Sequence, residues 1–168
     1  MHNKTLRIAA ACMAMLAATA SYAQTLSKGD QRILKQLAQA NMAEVAAANI
    51  ALKKSPTPEV KSFARQMVDD HTKGLQAVQE VAHSKNVTLP TEPDARHKKM
   101  AARLDKLGGA AFDKAYLANA GVSDHKAAFK AVVDAQKNAS DPEVKALAAK
   151  LQPTIDAHLQ RVQVLTTE

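Results

Sequence analysis

Aromatic residues are nearly missing from this chain: three Phe, two Tyr and no Trp among 168 residues. Single-stranded nucleic acid is held on stacked rings, so binding of that kind is not expected despite a formal charge of +7. The lysines are scattered instead of gathered in a block, which reads as a solvated helical surface. Loose attraction to acidic envelope lipids or polymers is the remaining reading of that charge. There is one cysteine, Cys12, and only five glycines, none forming a phosphate-cradling loop. No Ser-His-Asp order and no cysteine nucleophile offers itself, so an enzyme would have to work through its histidines and an open metal position. Beyond residue 23 no segment approaches the roughly 18 apolar residues of a membrane helix, and no alternating ten-residue segments suggest a barrel.

The first residues carry a different pattern. Lys4 and Arg7 precede an almost uncharged run from Ile8 to Ala20, and Ser21-Tyr22-Ala23 sets small residues where a signal peptidase reads them. Residues 1–23 are therefore expected to be a secretory signal peptide cut after Ala23, directing the product to the periplasm or outside the cell. Ala9-Ala10-Ala11 before Cys12 has the outline of a lipoprotein site, but cleavage there would fall inside the apolar run, which continues to Ala18. Residues 24–168 form the expected single domain, with a formal charge of +5 once Lys4 and Arg7 are gone. That domain has no cysteine, so a metal site in it would draw on His, Asp, Glu or Met.

Alanine-rich, glycine-poor sequence with apolar residues recurring at three and four predicts an all-α domain. Ser27, with Asp30 in the capping-box position, opens helix A, which runs to Lys54. Thr57 caps helix B, with Pro58 at its first position, and this helix runs to Lys85. Asn86 to Pro93 reads as extended, and Asp94 to Leu107 as a short charged helix closed by Gly108-Gly109. Helix C covers Ala110 to Lys137, and Ser140-Asp141-Pro142-Glu143 opens helix D to Leu165. Pro58-Glu59-Val60-Lys61 echoes Pro142-Glu143-Val144-Lys145, as two related hairpins or as two uses of good helix-start chemistry. Two hairpins, A–B and C–D, joined by a long crossover carrying a short extra helix form the layout of a ferritin-like four-helix bundle.

Three histidines fall on apolar rows. At about 100° per residue, His71 joins Val60, Ala64, Met67, Leu75 and Val78, and His158 joins Leu147, Leu151, Ile155 and Val162. His125 lies in the row of Ala118, Val122, Phe129 and Val132. Helix A has no histidine, but Glu44 flanks its stripe. At about 1.5 Å per residue, Glu44, His71 and His125 share a level near mid-helix, with His158 a turn or two away. His71, His125, His158 and Glu44 are thus the candidate ligands for one zinc, copper, iron or manganese ion. Asp70, about 100° off the core face, is the candidate to orient His71 from behind. Asp124 reads as a surface residue, and His83 and His97 as solvated. Pro153 is expected to kink helix D, and Gly121 lies one turn before His125. The alternative is a non-catalytic envelope-interaction or stress-protection protein with the histidines as a satisfied polar core. Crowded neutral histidines would also resist joint protonation, so acid between about pH 5 and 7 is expected to loosen the bundle.

The stretches Asn41-Met42-Ala43-Glu44-Val45, Val60 to His71, Phe112 to Leu117, Asp124-His125 and Leu151 to Leu159 resemble a large bacterial family of exported proteins. It is the domain of unknown function 4142, often described as predicted outer membrane protein and grouped with ferritin-like folds. The resemblance spans nearly all of residues 24–168 and implies a ferritin-like bundle in the cell envelope, with no established activity. An all-helical bundle cannot be a membrane barrel, so any outer-membrane association would be peripheral. Di-iron relatives of that fold need Glu-x-x-His pairs, yet Val68 and Ile155 stand three residues before His71 and His158. Iron storage or oxidase chemistry is therefore not expected.

Overall fold

Helix-start chemistry places the elements. In a computed structural model describing residues 26–167, α1 spans Lys28–Lys54, α2 Pro58–Ser84 and α3 Ala95–Asp105. Then come α4 (Gly109–Tyr116), a π-helical segment (Leu117–Asp124), α5 (His125–Asn138) and α6 (Pro142–Thr167). The expected signal peptide lies outside the described residues. Helices A, B and D correspond to α1, α2 and α6, whereas helix C is α4, the π segment and α5 run together. The fold is the all-α, ferritin-like bundle. α1 packs along α2 and α5 along α6, α2 and α6 join the two hairpins, and α3 crosses α1 within the long connection. Among the described residues, no helix is long and apolar enough to cross a membrane.

The caps also show how the hairpins are tied. Ser27 Oγ accepts the Asp30 amide at 3.0 Å, as the capping box requires. Asp30 does more: its buried carboxylate accepts the backbone N–H groups of Ser140 (3.0 Å) and Asp141 (3.2 Å), fastening the start of α1 to the start of α6. Lys85 reaches from the end of α2 to Asp141 (2.9 Å) and Glu143 (2.6 Å). Thr57 departs from its expected role. It makes no side-chain cap, and its hydroxyl donates to Asp113 of α4 at 2.5 Å. Pro153 does not interrupt α6, which runs through it.

The apolar core is in two halves. One gathers Leu34, Leu37, Val78, Val132, Val144 and Leu147, the other Phe63, Met67, Leu104, Phe112, Tyr116 and Val162. The helices α1, α2 and α6, and the run of α4, the π segment and α5, each pass from one half to the other through a polar stretch: Asn41 and Glu44 on α1, His71 on α2, His125 where the π segment meets α5, His158 on α6. A polar belt thus divides the bundle at mid-height.

Candidate metal centre

All three candidate histidines meet in that belt. Their ring centroids form a triangle with every side 5.2 Å. His71 Nε2 lies 3.2 Å from His125 Nε2, which lies 3.2 Å from His158 Nδ1, and the three nitrogens are all within 4.8 Å of one another. The helical rises left His158 a turn or two away; α6 delivers it to the same point.

The outward-facing nitrogens decide what the inward ones can do. His71 Nδ1 is 2.9 Å from Asn41 Oδ1, and that amide cannot be turned, because Asn41 Nδ2 donates to Leu37 O at 2.8 Å. His125 Nδ1 is 2.8 Å from Ala120 O, and His158 Nε2 is 3.0 Å from Asp70 Oδ2. An amide oxygen, a backbone carbonyl and a carboxylate can only accept, so each ring carries its proton on the outer nitrogen. Three lone pairs then face one another across the centre with no donor between them. Two metal–nitrogen bonds of about 2.0–2.1 Å at a tetrahedral angle would hold nitrogens roughly 3.3 Å apart, close to the two shorter separations.

Electrostatics keeps the protons out. Burial, then the neighbouring His125 and His158, holds His71 well below the ordinary imidazole range. His125 is lowered to about 4, chiefly by burial, with its hydrogen bond to Ala120 opposing. His158 is also lowered by burial, against the pull of Asp70. At neutral pH the centre is three neutral imidazoles.

Asp70 supports a different ring from the one expected, His158 on α6 instead of its sequence neighbour His71. The partner of His71 is Asn41, which the sequence presented only as part of the α1 stripe. Glu44 lies away from the converging lone pairs: its Oε1 is 3.7 Å from the outer nitrogen of His125 and its Oε2 has no partner. Burial, then Asp124, raises its carboxyl well above the usual range, with Arg96 opposing.

The π segment explains the other departures. Around it the buried residues are Asp113, Leu117, Gly121 and His125, spaced by four, flanked by Phe112, Tyr116, Ala120 and Asp124. A regular helix would rotate such a row away, whereas i→i+5 winding keeps it inward. Ala118 is therefore exposed and Val122 only half-buried, one residue out of step with the expected row. Asp124, expected at the surface, is buried and held by Arg96 at 2.8 Å. His97 is buried too, because α3 packs its His97, Met100 and Leu104 against the bundle. That three-and-four spacing was the available signal. His97 Nδ1 sits 2.9 Å from Asp94. Two glycines permit close approach: a Cβ on Gly121 would fall 2.5 Å from Val162, and one on Gly74 would fall 2.5 Å from Asn41 Oδ1.

Beside the histidines, a cavity of about 600 Å³ opens between α1 and the rings of His71 and His125, with Glu44 and Asp124 also on its wall.

The family model described as domain of unknown function DUF4142 matches residues 15–165. The chain belongs to that family. No curated protein matches it. Among solved structures it is similar to a DUF305 fragment from Deinococcus radiodurans, at 15% identity and TM-score 0.73, over 83% of this chain and 96% of that one. It is also similar to CopM in the Cu(I)-bound form (16% identity, TM-score 0.67, covering 82% and 95% of the two chains). The Cu(II)-bound form of CopM gives 18% identity and TM-score 0.67, over 81% and 94%. At these identities the likeness shows a shared bundle fold.

Proposed function

From membership in a family without an assigned function, we propose that this protein binds one transition-metal ion at mid-bundle through His71 Nε2, His125 Nε2 and His158 Nδ1. The observation that carries the reading is the inward convergence of three lone pairs whose outer N–H groups are all engaged. A metal site needs second-sphere acceptors of this kind, because they fix the tautomer and raise the basicity of the ligating nitrogen. A merely satisfied polar core would pair donors with acceptors, and here acceptor faces acceptor.

Copper is the ion we place first. Three imidazoles without a converging carboxylate suit it, its divalent form ranks highest in affinity for nitrogen sites, and the CopM structures of similar fold are copper-bound. Monovalent copper would also be cheaper to bury among neutral rings than a divalent ion. Export to the periplasm by the expected signal peptide belongs to the same reading. It would place the site in an envelope compartment, with any membrane contact peripheral.

Metal analysis and calorimetric titration of residues 24–168 test the assignment. One equivalent of copper should bind and raise the melting temperature. The His71→Ala/His158→Ala double variant should lose that equivalent, and binding as tight as in the wild type would sink the site.

A further inference from the structure

Helix α1 brings no nitrogen to the centre, and the cavity is lined by α1 together with residues of α2, α3, α5 and α6. Resting on the copper reading above, we propose that this cavity is a ligand site. A small protic molecule of the carboxylate class enters it, takes the coordination position that three imidazoles leave, and shares one hydrogen bond with Glu44.

The first support is space. About 600 Å³ is enough for a small organic molecule, and His71 and His125 themselves form part of the wall. Ala40, Ala77, Ala128 and Ala131 line it with short side chains, so the space is not filled from the surrounding helices.

The second support is unused hydrogen-bonding capacity. Glu44 is 6% exposed and lines the cavity, yet its Oε2 has no partner. Its Oε1 faces the outer nitrogen of His125 at 3.7 Å, but that N–H is already given to Ala120 at 2.8 Å. Asp124, on the same wall, keeps one oxygen on Arg96, while its Oδ2 makes no hydrogen bond and faces His97 Nε2 at 3.7 Å. Buried carboxyl oxygens without partners are rare, and two on one wall point to a polar guest. A guest that ligates a cation through one atom and shares a proton with Glu44 fills the open coordination position and satisfies the Glu44 oxygen, whichever of the two carries the proton. The alanine wall receives its hydrocarbon part.

Azide is a suitable probe because its bond to Cu(II) gives a charge-transfer absorption. Titrating azide into the Cu(II)-loaded protein should produce a saturable band at one azide per copper. Ala128→Phe and Ala40→Phe each put a ring into the cavity without touching a histidine, so both should keep one copper per chain and weaken azide at least tenfold. Glu44→Leu should weaken azide about tenfold or more, the scale of one lost charge-assisted hydrogen bond, while Glu44→Gln retains most of the affinity. Copper-loaded protein that shows no azide band overturns the proposal. So does azide affinity unchanged in the two Phe variants and in Glu44→Leu. Acetate should compete with azide in the wild type, and failure to compete overturns the carboxylate class. A wild-type chain that holds no copper removes the metal reading itself, an outcome told apart by metal content alone.

Discussion

Replacing Gly74 by alanine probes the histidine triangle without altering a histidine. The new Cβ would lie 2.5 Å from Asn41 Oδ1 and 3.3 Å from its Cγ, so the amide must move. It cannot move freely, since Nδ2 donates to Leu37 O and Oδ1 accepts the His71 Nδ1–H. Displacing it leaves a buried N–H without an acceptor, at a cost of about 1–3 kcal/mol. Alanine's better helix propensity returns about 1 kcal/mol, so the apo protein should lose only about 0–2 kcal/mol. Copper affinity should suffer more, about 10–100-fold, because His71 loses the partner that orients it. Competition against a chromogenic copper chelator reads the affinity, and thermal melts of the apo protein read the stability. The double variant sharpens the test. Once Asn41→Ala has removed the amide, Gly74→Ala has nothing to displace, so the two affinity losses should not add. Wild-type affinity in Gly74→Ala, or additive losses in the pair, would refute the reasoning.

Apo stability should fall with acid. The His125 pKa is lowered to about 4 in the folded chain, so below its ordinary value of 6.5 the unfolded state binds a proton that the folded state refuses. Stability therefore drops from about pH 6.5 towards pH 4, and His125 alone accounts for about 2 kcal/mol between pH 7 and 5, readable by urea unfolding at the two values. Asp70→Ala removes the acceptor behind His158 and should weaken copper about 10–100-fold, while Asp70→Asn, which keeps an oxygen there, should lose less in the same chelator assay. Asp30→Ala unties two backbone N–H groups at the start of α6 and should cost about 2 kcal/mol in thermal or urea melts, with copper affinity unchanged. Mass spectrometry of the exported protein should find a mature chain beginning at Gln24.

The bundle was legible because each long helix carries its own start signal and its own three-and-four rhythm. His71 and His158 could be placed by that rhythm alone. His125 falls on the same rhythm, but the residues a regular wheel aligns with it, Ala118 and Val122, are one residue out of step with Leu117 and Gly121, which are the buried ones. A regular wheel has no means of anticipating π winding, and the same regular geometry puts Asp124 at the surface. Asn41 and Asp70 show a second limit. Their roles depend on which ring across the bundle faces them, and residue spacing along one helix carries no information about a partner 30 or 88 residues away. His97 was hidden by the charge of its surroundings, which outweighed a short apolar row.

The π segment has a consequence for motion. Between Leu117 and Asp124 the regular i→i+4 ladder is given up for wider turns within an otherwise continuous helix, the kind of interruption at which local opening is expected to begin. His125 hangs from the end of that stretch and holds Ala120 through its own ring. Backbone amides of residues 117–125 should therefore exchange with solvent deuterium faster than those of α2 or α6 in the apo protein. An ion fixed on His125 would pull that ring, and through it the loose turns, into a single state. Metal occupancy would then be recorded along the chain as slowed exchange some distance from the ion itself.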